Sequence, residues 1–115
     1  MWAWLLLGLL LAPGRAGCGT FASGATQGDS GPQVGECAGG DGGITREWTT
    51  LTGTGTEEAQ ESQCKTACES EGVAGCCYVK VNTDPLVCKF SAGQAERYNG
   101  NARRRSTLCN ATSPS

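Results

Sequence analysis

Eight cysteines, no histidine and one tryptophan beyond residue 16 bound the chemistry open to this 115-residue chain. The cysteines stand at 18, 37, 64, 68, 76, 77, 88 and 109. A thiol can act as nucleophile, metal ligand or half of a disulfide. Nucleophilic cysteine needs a base beside it, most often His, and zinc sites commonly mix Cys with His. The missing His removes both, and it removes the base of a serine triad. Gly28-Asp-Ser-Gly-Pro32 resembles a serine-protease nucleophile segment, but without a base it reads as a polar turn. An all-Cys zinc site built from Cys64 and Cys68 with Cys76 or Cys77 would require a reducing compartment. No metal and no cofactor is expected.

The compartment follows from the start of the chain. Trp2 to Ala12 is an apolar run too short to span a bilayer, which takes about 20 residues, but of the right length for a signal-peptide core. Gly14-Arg15-Ala16 places small residues at −3 and −1 of a cut after Ala16. Residues 1–16 are therefore read as a signal peptide, and no membrane span is expected in the mature chain. Losing Arg15 takes the net charge from −2 to −3, which gives no reason to expect nucleic acid as a partner. All eight Cys remain after the cut. An even count in a secreted chain this short predicts disulfides. Large apolar residues are few, so the bridges are expected to carry much of the stability, and reduction is expected to unfold the protein. The sequon Asn110-Ala111-Thr112 is a candidate glycosylation site.

The elements that position the cysteines can be read from pattern. Residues 17–36, rich in Gly, Ser, Thr and Ala, read as a flexible arm that Cys18 ties to the body. The domain spans residues 37–110 and leaves a tail at 111–115. Gly39 to Gly43 reads as a turn, and Ile44 to Thr52, β-branched and aromatic, as a strand. A helix is predicted from Glu57 to Glu71, with Thr54 or Thr56 as N-cap and Gly72 as stop. Its inner stripe is Ala59, Cys64, Ala67 and Cys68, without a large aliphatic residue, so Cys64 and Cys68 must bolt it to what lies beneath. Gly75–Val81 and Leu86–Phe90 read as a hairpin around Asn82-Thr-Asp-Pro85. Strand alternation sends Cys76 and Cys77 to opposite faces, hence to different partners. Residues 91–105 read as loop, and Ser106–Cys109 as a last short strand.

Cys64-Lys-Thr-Ala-Cys68, then Gly75-Cys76-Cys77-Tyr78, then Cys88-Lys-Phe90, resembles the PAN/apple superfamily over residues 37–109. The resemblance implies an α+β fold: a small disulfide-rich domain with one helix packed on a curved antiparallel sheet. It implies the bridges Cys37–Cys109, Cys64–Cys88 and Cys68–Cys76, with Cys77 the alternative partner of Cys68. Cys18 and Cys77 are then left, and pairing them would fasten the arm. It also implies a secreted, non-catalytic recognition module for an extracellular protein or carbohydrate. A secreted effector, toxin or inhibitor is the second reading, although the acidic charge speaks against cationic membrane attack. A passive extracellular-coat component is the third.

Two features could touch a ligand. Arg103, Arg104 and Arg105, with Arg97 nearby, would suit sulfated glycans or an acidic partner, unless they are simply a solvated loop. Trp48 would make a ligand platform, although in so thin a core a structural place is expected for it.

Overall fold

The computed structural model describes residues 17–23, 35–38, 40–98 and 103–111. The expected leader, the Gly28–Pro32 segment and the sequon's Thr112 lie outside them. One α-helix packs on an antiparallel sheet, so the domain is α+β and disulfide-rich. In chain order the strands are β1 (Gly17–Cys18), β2 (Ala22–Ser23), β3 (Glu36–Cys37), β4 (Arg46–Trp48), β5 (Gly75–Lys80), β6 (Val87–Ala92), β7 (Arg97–Tyr98) and β8 (Arg104–Asn110). Helix α1 (Glu57–Glu69) lies between β4 and β5. The main sheet has the order β1-β8-β5-β6-β4, with β2 following β1 along β8. The pair β3–β7 forms a second small sheet.

Thr56 is the N-cap, its Oγ1 accepting from the Ala59 N–H at 3.1 Å. Glu57 and Glu58 follow in the first turn, where the helix dipole favours negative charge. The β5–β6 hairpin turns through Asn82, whose φ of 65° is the left-handed conformation that Asn tolerates best among residues with a Cβ.

Two expectations on strand content change. Only Arg46–Trp48 of the long predicted strand pairs in the ladder: beyond it the Leu51 carbonyl accepts from the Leu86 N–H at 2.9 Å, just ahead of β6, and the Thr52 backbone turns to Gln63 of the helix. Of the arginines predicted to sit in a loop, Arg104 and Arg105 instead start β8, which pairs along the whole of β5, Lys80↔Arg104 through Gly75↔Cys109, and Arg97 starts β7. The Gly cluster folds as a 3-10 turn, Gly40–Gly43. Residues 17–23, read from sequence as arm, lie on the sheet edge with Phe21 buried, as Gly17↔Asn110 and Ala22↔Ser106 pair.

Residues directly opposite in an antiparallel pair share a face. The register therefore sorts the sheet. Cys77, Val79, Cys88, Phe90, Arg105, Thr107 and Cys109 face the helix, while Cys76, Tyr78, Lys89, Ser91 and Ser106 face away. This sorting decides the bridges. Cys64–Cys88 forms as the family resemblance implied. Cys68 bonds Cys77 and not Cys76, because Cys77 is the member of the pair beneath the helix. Cys76, on the back, bonds Cys37 of β3, whose strand lies against that face. Cys109 therefore pairs with Cys18, its direct cross-strand neighbour, and not with Cys37, and Cys18 does not reach Cys77. Val79, Val81, Leu86 and Phe90 complete a core made half of cysteine.

Candidate functional site

The stripe of α1 that turns from the sheet toward β4 is Ala59, Ser62, Gln63, Thr66, Ala67 and Ser70, spaced i, i+3, i+4 so that all lie on one face. None of these side chains is bulky and apolar. The bridges dock the helix, so no large side chain is needed to fill the step between helix and strand. What remains is a shallow open groove of about 710 Å³, with the helix stripe on one wall and Trp48 and Leu51 on the other. Its walls are mostly carbon, edged by the hydroxyls of Ser62 and Thr66, both on exposed residues.

Trp48 pairs with Cys88 and so stands on the helix side of β4, half-buried against the core. The Arg46 guanidinium, two residues earlier on the same face, lies 5.7 Å from the indole centroid, within cation–π range. One end of the groove is pinned by an amide clasp. Gln63 Nε2 donates to the Thr52 carbonyl at 3.0 Å, and Gln63 Oε1 accepts from the Thr52 N–H at 3.0 Å. Ser70 Oγ donates to the Ala67 carbonyl at the other end. The sequence pointed to Trp48. It gave no sign of the groove, which depends on how β4 and the helix are set side by side.

The arginines sit elsewhere and hold the fold. Arg105 projects from β8 onto the helix face and donates to Glu61 at 2.5 Å and Glu57 at 2.7 Å. Desolvation lowers its pKa, but those two hydrogen bonds outweigh it and hold the guanidinium above its ordinary value. The bond from Arg105, with one from Asn82 Nδ2 at 2.8 Å, holds the Glu57 carboxyl below its usual range. Arg104 pairs with Glu36 of β3 at 3.1 Å on the opposite face. Arg103 donates to the Asn82 carbonyl at 3.1 Å, and Arg97 to the Ser106 carbonyl at 3.3 Å. Burial pushes the Arg97 guanidinium down. Arg104 and Arg105, neighbours on β8, point to opposite faces, and each of the four side chains bonds a different part of the fold.

All eight cysteines are bridged. Asn110 is exposed at the end of β8. Among the described residues, no helix is long and apolar enough to cross a membrane. Compared with protein-family models, with curated proteins and with solved structures, the chain matches none.

Proposed function

We propose that this chain is a secreted, non-catalytic recognition module of PAN/apple-like type, binding an extracellular protein or carbohydrate in the groove between Trp48 and α1. The observation that carries this reading is the groove itself. An indole edge and small apolar residues offer a surface for the C–H face of a sugar ring or an apolar side chain, and the Ser62 and Thr66 hydroxyls stand beside it to donate or accept. The bridged core supports an extracellular setting, where disulfides persist. The non-catalytic part is supported by the chain's lack of His and by the engagement of Glu57 and Glu61 with Arg105.

The test is a paired screen of the folded, bridged protein and its Trp48→Ala variant against a glycan array and a panel of extracellular proteins. Wild type is expected to retain a defined ligand class that the variant loses, with the four bridges intact in both. Binding that survives in Trp48→Ala removes the groove. A protein that binds neither panel but inhibits a protease or lyses cells is an effector, and the recognition reading falls.

A further inference from the structure

Four of the eight sulfurs are gathered at one point. The Sγ atoms of Cys64, Cys68, Cys77 and Cys88 all lie within 4.8 Å of one another, and all four residues are fully buried. They are joined as Cys64–Cys88 and Cys68–Cys77, yet Cys64 Sγ is 3.6 Å from Cys77 Sγ, across the two bridges. Two ligands come from consecutive turns of one helix and two from adjacent strands, so three elements converge on one centre.

We propose that, once both bridges are reduced by a dithiol, Cys64, Cys68, Cys77 and Cys88 form a tetrathiolate site for a single thiophilic divalent cation such as Zn(II). The geometry fits. Zinc–sulfur bonds of about 2.3 Å in a tetrahedron put neighbouring sulfurs about 3.8 Å apart. The Cys64–Cys77 edge is already near that length, and the bonded pairs need only open by less than 2 Å. Each disulfide takes two electrons and two protons from the dithiol, which leaves as its own disulfide. The four resulting thiols release four protons as the cation binds. Because the centre is sealed by Val79, Leu86 and Phe90, the cation enters as the reduced chain folds. The metal then fastens helix to sheet at the point where the two bridges otherwise do. Cys76 is excluded because it lies on the far face with Cys37.

The probe is Cd(II), whose thiolate charge-transfer absorption reports the ligands, with Zn(II) as competitor. The full chain is reduced with dithiothreitol, freed of it without oxygen, and titrated while far-UV circular dichroism follows the helix. A second chain carrying Cys18→Ser, Cys37→Ser, Cys76→Ser and Cys109→Ser, and so only these four thiols, is titrated in parallel. The expected result is one metal per chain, loss of four reactive thiols and return of the helical signal, reversed by a chelator. Cys64→Ser or Cys88→Ser is expected to weaken uptake at least about 100-fold. If neither chain takes up a stoichiometric ion, or if uptake by the full chain survives Cys64→Ser and Cys88→Ser, the site does not exist.

Discussion

Gln60 accepts a hydrogen bond from the Asn82 backbone N–H at 2.6 Å, joining the buried side of the helix to the tip of the hairpin. Its Nε2 donates to the Gly55 carbonyl at 3.1 Å and to Asn82 Oδ1 at 3.3 Å. Gln60 is among the largest fully buried side chains in the domain, and its amide satisfies backbone groups on two segments at once. Gln60→Leu preserves the volume and strips the bonds. It is expected to destabilise the protein by about 2–3 kcal/mol, the cost of leaving buried partners unpaired, read as a lower urea midpoint at unchanged slope.

The bridges should differ in their contribution. Cys18–Cys109 spans a sequence separation of 91 and Cys68–Cys77 only 9. Loop-closure entropy makes the first worth about 4.5 kcal/mol and the second under about 3 kcal/mol. Pairwise Cys→Ala variants are expected to fall in that order in chemical denaturation. Reduction of all four is expected to unfold the metal-free chain, seen as loss of the helical circular-dichroism signal.

Acid should loosen the tie between α1 and β8. The Glu57 carboxyl titrates lower in the folded protein than in the unfolded chain, because Arg105 and Asn82 favour its charged form. Its stabilisation is complete above its ordinary unfolded pKa of about 4.5 and is lost as pH falls through the lower folded value. Urea midpoints measured from about pH 6 to pH 3 should show a steeper decline for wild type than for Glu57→Gln. Equal slopes would mean that the pair contributes nothing to this dependence.

Gly75 sits where β5 passes close to β6. A Cβ there would lie 2.5 Å from the Ser91 carbonyl oxygen and 2.6 Å from Phe90 Cζ. Gly75→Ala is expected to cost about 3 kcal/mol, the upper range for overpacking, and to lower the thermal midpoint accordingly. An unchanged midpoint would show that the Phe90 ring and the β6 backbone yield freely.

The helix, the hairpin and the bolting role of Cys64 and Cys68 were legible in the sequence, because each rests on local spacing: a cap, a turn cluster, cysteines one helical turn apart. The opposed faces of Cys76 and Cys77 were legible for the same reason. Their partners were not, since alternation says that two residues diverge and leaves open which face the helix will cover. That depends on Cys77 pairing with Phe90 and Thr107, contacts set by chain segments far apart. Arg103–Arg105 misled for a related reason. Three charges in a row read as solvated loop, and only the pairing of β8 with β5 shows Arg104 and Arg105 turned to opposite faces to meet Glu36, Glu57 and Glu61. The Trp48 groove had no signal beyond Trp48 itself.

The direct bond between Cys18 and Cys109 also has a mechanical meaning. Gly17 and Asn110 leave the domain side by side, and the covalent link stands between everything upstream and everything downstream. Tension applied through the two ends enters at one sulfur and leaves at the other. The helix, the sheet and the groove beside Trp48 lie outside the load path, so a pull on the two ends is borne by that one bond before it reaches the fold.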